Sequence, residues 1–256
     1  MVLKNYKIQI LADLKALSRA AAETIIELIS DCLQNRDICT IALSGGSTPK
    51  RLYSLLANEA ALRDRIHWER VHFFWGDERH VPPGHPDSNY LMAYNTLLSQ
   101  APIPLTNIHR VRSEDADAEK AAADYELEIR SFFKIQAGEM PRFDFVLLGM
   151  GADGHTASLF PVTSALKETK RLVLANWVEK FQTFRLTLTA PVLNSAACIL
   201  FLVAGKDKAD AVRAVLEGKF QPDRYPAQLI QPSGGELIWL LDRSAASRLT
   251  LNRQPT

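Results

Sequence analysis

Short, almost wholly apolar runs recur along this chain, and each ends in a loop of unusual composition before a helical pattern begins. Ile38-Cys39-Thr40-Ile41-Ala42-Leu43 leads into Ser44-Gly45-Gly46-Ser47, and Val71-His72-Phe73-Phe74-Trp75 leads into a charged, proline-bearing stretch from Gly76 to Asp87. Phe143 to Leu148 is broken by Gly149, Gly151 and Gly154. Strands apolar at consecutive positions are buried on both faces, as happens in parallel sheets covered by helices. Further strands are predicted at Leu172–Val178, Arg185–Leu188, Ile199–Val203 and Leu237–Leu241.

Helical periodicity fills the intervals. Leu14, Leu17, Ala21, Ile25, Leu28 and Cys32 recur every three or four residues, with Asp13 as N-cap and Asn35-Arg36-Asp37 as the end. A second helix is predicted from about Pro49 to Ala57, capped by Thr48. Others are predicted from Ser88 to about Leu98, from about Ala116 to Gln136 with Ala122, Tyr125, Ile129 and Phe132 on one face, and from about Asp207 to Glu217. Alternating strands and helices define an α/β chain with a parallel or mostly parallel sheet. With no internal repeat and no Ser/Gly linker, a single domain over residues 1–256 is expected.

Composition removes several classes of function. An apolar fraction of 47% with a net charge of +1 allows a large buried core and argues against disorder. Thirty basic residues against 29 acidic leave no electrostatic footprint for nucleic acid, so none is expected as a partner. The longest apolar run, Ala196 to Ala204, is nine residues, well short of the roughly 20 that span a membrane. The N-terminus lacks an apolar secretory core, and Cys32, Cys39 and Cys198 are odd in number and without metal-ligand spacing. A cytoplasmic protein with reduced core thiols, no metal and no membrane partner is the expectation.

Ligands of open α/β sheets bind at the carboxyl ends of the strands, and three strand-end loops carry unusual chemistry. Ser44, Gly45, Gly46, Ser47 and Thr48 combine backbone freedom, hydroxyls and a following helix N-terminus, a combination suited to an anion. Walker-type and dinucleotide spacings are absent, which favours a small phosphorylated ligand. In the second loop, Asp77, Glu78, Arg79 and His80 crowd one strand end, and Asn89 follows within Asp87-Ser88-Asn89-Tyr90. The third, Gly149-Met150-Gly151-Ala152-Asp153-Gly154-His155, displays an imidazole beside an acid, and a short helix is expected to start at His155. A neutral imidazole can take a proton from water, so His155 is the candidate general base. Arg185 and Lys208 are candidate phosphate ligands that spacing alone does not separate from surface charges.

These motifs, with Arg-Leu-Thr-Leu-Thr from Arg185, Gly205-x-x-Lys208, Pro226-Ala-Gln-Leu-Ile and Trp239-Leu-Leu-Asp, occur in order across nearly the whole chain. Together they resemble the 6-phosphogluconolactonase family. The resemblance implies a three-layer α/β/α fold shared with glucosamine-6-phosphate deaminases, and hydrolysis of 6-phosphogluconolactone to 6-phosphogluconate without metal or organic cofactor. Deaminases look like Asp-Glu-Tyr in the second loop and Gly-His-Ile-Ala-Phe-Asn-Glu-Pro in the third. Here Arg79 replaces that Tyr and Phe160 replaces that Glu, which counts against amino-sugar chemistry. The fold also serves as a sugar-phosphate sensor in transcriptional regulators, but no spare segment for a DNA-binding motif is visible.

The expected mechanism places the substrate phosphate on Ser44–Thr48 with Arg185 and Lys208. His155 activates the water, Asp77 or Asp153 orients His155, and Arg79 meets either the oxyanion or the phosphate. The expected partner is the small sugar-phosphate lactone alone, with the chain a monomer or weak dimer.

Overall fold

The computed structural model describes residues 6–250. Strand β1 (Lys7–Leu11) precedes helix α1 (Leu14–Asn35), whose N-cap Asp13 accepts a hydrogen bond from the Ala16 amide at 2.8 Å. Then come β2 (Cys39–Leu43), α2 (Ser47–Asn58), the single turn α3 (Ala60–Arg63), β3 (Val71–Trp75) and the three-residue β4 (Asp77–Arg79). Helix α4 (Asn89–Ala93) and a π-helical turn at Tyr94–Leu98 lead through a loop to α5 (Ala118–Phe133). Strand β5 (Phe145–Leu148), β6 (Val173–Val178), β7 (Thr183–Leu188), α6 (Ala190–Asn194), β8 (Cys198–Val203), α7 (Ala209–Glu217) and β9 (Glu236–Asp242) complete the described strands and α-helices.

Six strands form one parallel sheet in the order β1-β9-β8-β5-β2-β3, flanked by helices in a three-layer α/β/α arrangement. Its central strands β2, β5 and β8 are buried at every position, as their continuous apolar sequences require. Trp239 of β9 stacks on Phe201 of β8 at 3.8 Å between ring centres. Helix α5 packs its Phe132 edge-on against Phe74 of β3. On the same helix, the Glu126 carboxylate accepts from the Leu172 and Val173 amides and so ties α5 to β6.

The second sheet, β4-β7-β6, is antiparallel and departs from the sequence-based expectation. The sequence places Asp77–Arg79 in a loop and Arg185–Leu188 among the strands of the main sheet. Instead β4 pairs with β7, and both stand beside the carboxyl ends of the parallel strands. Strand β1 also escapes the sequence reading, because Lys7-Ile8-Gln9-Ile10-Leu11 alternates polar and apolar residues at the sheet edge. Helix α2 begins at Ser47 with Gly46 at the cap and no side-chain capping bond, so Thr48 lies inside the first turn and is not its cap.

Candidate active site

Two buried tyrosines fix the strand ends from which the site is built. Tyr53 of α2 accepts from the Ser44 amide at 3.0 Å and donates to the Ser44 carbonyl at 2.8 Å. Tyr125 of α5 makes the same paired contact with Trp75, accepting from its amide at 2.8 Å and donating to its carbonyl at 3.3 Å. Each hydroxyl satisfies backbone groups where the sheet ladder stops, which such buried groups need. Helical periodicity marks Tyr125 as a core residue, while Tyr53 carries no such reading, and the far ends both reach are set by the tertiary fold.

The loops meet in a cleft of about 310 Å³. It is lined by Ser44, Gly45, Gly46, Ser47, Thr48, Asp77, Arg79, His155, Arg185 and Lys208, with Asn89, Ser158, Phe160 and Phe181 among the other residues of its wall. Every candidate residue but one therefore borders a single space. The exception, Asp153, stands directly behind His155.

The loop after β2 lies against Asn89. A Cβ on Gly45 would fall 1.8 Å from the Asn89 Oδ1 atom, so only glycine allows this approach. Asn89 is almost fully buried and donates from Nδ2 to the Asp77 carbonyl oxygen at 2.9 Å. The Asp77 side chain is held separately: Ser158 Oγ donates to its Oδ2 atom at 2.6 Å. Asp77 is thus tied to Ser158 and Asn89, and it is Asp153 whose carboxylate reaches the imidazole.

His155 Nδ1 stands 2.5 Å from Asp153 Oδ1, and the ring stacks on Phe160 at 4.1 Å. With Nδ1 engaged, Nε2 is the ring nitrogen left to exchange a proton with a ligand. Burial opposes ionisation of Asp153, but the hydrogen bonds from His155, the imidazole's charge and Lys180 hold its carboxyl well below the usual range. Lys180 Nζ lies 3.5 Å from Asp153 Oδ2. A Cβ at Gly151 would sit 2.1 Å from His155 Nδ1, so the ring occupies the space glycine leaves. His155 does not begin a helix, contrary to expectation. Gly151 N–H donates to the His155 carbonyl, Thr156 Oγ1 donates to the Gly149 carbonyl, and Ala157 takes a φ of 46°. That left-handed conformation in a residue bordering the cleft is a local strain of the kind that gathers at functional sites.

Arg79 and Arg185 are register partners across β4 and β7. Directly opposed like charges destabilise a strand pair unless an anion joins them. Burial, followed by repulsion from Arg79, lowers the Arg185 pKa. Arg185 also lies over the Phe181 ring at 5.1 Å, and Arg79 Nη1 donates to the Asp87 carbonyl. Lys208 closes a 3₁₀ turn just before α7 and pairs with Asp207 at 2.8 Å.

Glu78 is the residue sequence reasoning passed over. Its carboxylate is buried and accepts from the amides of Arg79, Asn89 and Tyr90 and from Ser88 Oγ. Burial pushes its pKa up while the three amides pull it down, and the net direction is upward. It clamps β4 to the start of α4 and so fixes Arg79 and Asn89. The visible signal was an acid within a charged motif; its burial was not legible.

A parallel sheet with phosphate-suited loops at its carboxyl edge and a carboxylate-backed imidazole among them belongs to the sugar-phosphate class of α/β proteins. The model of the glucosamine-6-phosphate isomerase/6-phosphogluconolactonase family matches residues 12–239, and the chain belongs to that family. It is 44% identical over 243 residues to a protein of Synechocystis sp. named 6-phosphogluconolactonase, covering 95% of this chain and 98% of that protein. A Nostoc sp. protein of the same name is 42% identical, with the same coverage. Among solved structures, 6-phosphogluconolactonase from Trypanosoma brucei superposes with a TM-score of 0.84 at 31% identity, over 96% of this chain and 99% of that one. A monomeric glucosamine-6-phosphate deaminase superposes at 0.79 with 23% identity, a likeness of fold alone.

Proposed function

We propose that this chain hydrolyses 6-phosphogluconolactone to 6-phosphogluconate, a step of the pentose phosphate pathway. The observation that carries the reading is a carboxylate-backed imidazole bordering the same cleft as three cationic side chains and a helix N-terminus. The substrate is a dianionic phosphate joined to an uncharged ester, and the cleft divides into parts that suit each.

The phosphate lies over the first turn of α2, whose leading N–H groups have no acceptor within the helix. Arg185 and Lys208 complete its shell, and negative charge brought by the substrate relieves the opposition of Arg79 and Arg185. The lactone carbonyl then stands beside His155. Nε2 takes a proton from the attacking water, and Asp153 stabilises the imidazolium through Nδ1. The tetrahedral intermediate collapses with loss of the ring oxygen, which receives the proton back from Nε2. Arg79 meets the developing oxyanion from its place on β4. Asp77, fixed by Ser158 and Asn89, accepts from a sugar hydroxyl and does not orient the base.

Among the described residues no helix is long and apolar enough to cross a membrane. We place the protein in the cytoplasm, acting as one domain on a small diffusible substrate, because the residues of the site are spread from Ser44 to Lys208. Freshly prepared 6-phosphogluconolactone and glucosamine-6-phosphate are offered separately, with acid release and ammonia release followed. Acid release above the spontaneous rate from the lactone alone is expected. Ammonia release would assign the chain to amino-sugar chemistry, and binding without turnover to a sensor.

A further inference from the structure

At the opposite edge of the parallel sheet from the cleft, three potential ligand groups converge that the lactonase mechanism does not use. Cys32 in the last turns of α1, Cys39 at the start of β2 and Asp144 just before β5 place one Sγ, one Sγ and one carboxylate oxygen within 4.8 Å of one another. We propose that Cys32, Cys39 and Asp144 form a binding site for a thiophilic divalent cation of the Zn²⁺ class. Sequence spacing concealed it, because the third ligand comes from a different strand.

The geometry suits such an ion. Zinc bonds of about 2.3 Å to sulfur and 2.0–2.2 Å to oxygen, at tetrahedral angles, put donor atoms about 3.4–3.8 Å apart. Metal binding draws the three donor atoms, now no more than 4.8 Å apart, into that spacing. The carboxylate is already positioned: Asp144 Oδ2 accepts from the Thr40 amide at 2.9 Å and from Thr40 Oγ1 at 2.7 Å. Cys32 is only partly buried, which gives the ion its entry, while Cys39 is buried.

Charge is conserved as well. Arg36 Nη1 pairs with Asp144 Oδ1 at 3.0 Å, so with both thiols protonated the cluster is neutral. Binding is an exchange in which the divalent ion enters, two S–H bonds break, two metal–sulfur bonds form and two protons leave to solvent. Two thiolates, the carboxylate, the ion and Arg36 again sum to neutrality. Arg36 is therefore a counter-ion to the loaded site and not a competitor for it.

The cluster sits at the amino ends of β2 and β5, adjacent strands whose carboxyl ends lead into the Ser44–Thr48 and His155 loops. A bound ion would clamp these strands and raise stability, with turnover unchanged because the cleft is at the other edge.

The test uses the fully reduced full-length chain, its three thiols counted beforehand, titrated with Cd²⁺ as a spectroscopic stand-in and then with Zn²⁺. The expected result is a thiolate-to-cadmium charge-transfer band that saturates at one ion per chain. Two protons are released, and Tm rises by about 5–10 °C when free ion is at a hundredfold excess over Kd. Cys198→Ser keeps the band. Cys32→Ser, at a partly exposed position, keeps only about half of the band at saturation, one thiolate of two remaining, and binds more weakly by more than the ~10–100-fold typical of losing an outer-shell partner, yet retains full hydrolase activity. No band in the native chain, a band undiminished in Cys32→Ser, or a band that needs Cys198 would overturn the assignment.

Discussion

The two sheets contribute to the cleft in opposite ways. Strands β2, β5 and β8 of the parallel sheet are buried at every position, and at the cleft their side chains offer only the apolar Leu202 and Val203 at the end of β8. They act through the segments at their carboxyl ends: the Ser44–Thr48 turn, the His155 loop and the approach to Lys208. The antiparallel sheet has a wet face, and β4 reads half-buried, buried, half-buried. Asp77 and Arg79 therefore point one way while Glu78 points into the protein, and Arg185 stands opposite Arg79. A sheet covered on both faces offers loops and backbone donors; a sheet covered on one face offers side chains from the strand itself. In the proposed lactonase, the first supplies the base and part of the phosphate site, and the second supplies the paired arginines.

Substitutions in each sheet's contribution should separate these roles. Asp153→Asn removes the carboxylate behind the base while leaving the cationic wall intact. A drop of about 10²-fold in kcat with KM nearly unchanged is expected from steady-state kinetics, since the imidazolium loses its partner. Arg185→Ala on the small sheet should do the reverse, raising KM by about 10- to 100-fold. That range corresponds to the 1.5–3 kcal/mol of a hydrogen bond to a charged group. Equal effects of the two variants on kcat and KM would dissolve the division of labour.

Glu78→Gln probes the anchor of the small sheet. Gln keeps one acceptor but presents an N–H₂ group to amides that now donate to a carboxylate. A loss of about 2 kcal/mol is expected, seen as a fall of about 4–8 °C in Tm.

The smallest effect concerns β3, the edge strand where the parallel sheet tolerates polar groups. His72 Nδ1 lies 3.0 Å from His109 Nε2, and His109 Nδ1 lies 3.0 Å from Glu128 Oε1. Burial first, then His109, lowers the His72 pKa. The unfolded chain therefore binds a proton at His72 near pH 6.5 that the folded chain refuses, and stability falls as pH drops through that value. His72→Gln should flatten the decline of Tm between about pH 7 and pH 5, as thermal melts across that window would show.

The same contrast governs how much of the molecule was legible in the sequence. The parallel strands announce themselves as continuous apolar runs, and their loops carry their chemistry in order along the chain, so Gly45, Gly46, His155 and Asp153 are found by reading forward. The small sheet joins Asp77–Arg79 to Thr183–Leu188, segments far apart in sequence, through a three-residue strand of charged residues. No periodicity is measurable over three residues, so spacing alone does not separate Arg185, a candidate phosphate ligand, from a surface charge until the pairing is seen. Likewise nothing in the spacing tells Asp77 from Asp153 as the partner of His155. That choice is made by Ser158 and Asn89, which hold Asp77. Tyr125 was legible as a core residue, but its contact with Trp75 was not, and neither was the contact of Tyr53 with Ser44.

The proposed role of the imidazole in the loop after β5 is to perform the chemistry on a lactone held by cations from the small sheet. Its most direct test is acid release from fresh 6-phosphogluconolactone by the native chain and by a folded His155→Ala variant, side by side. Turnover well above the spontaneous rate is predicted for the first, and a loss of about 10²–10⁴-fold for the second, with little change in KM. A His155→Ala chain that folds normally and hydrolyses the lactone at the native rate would remove that role from His155.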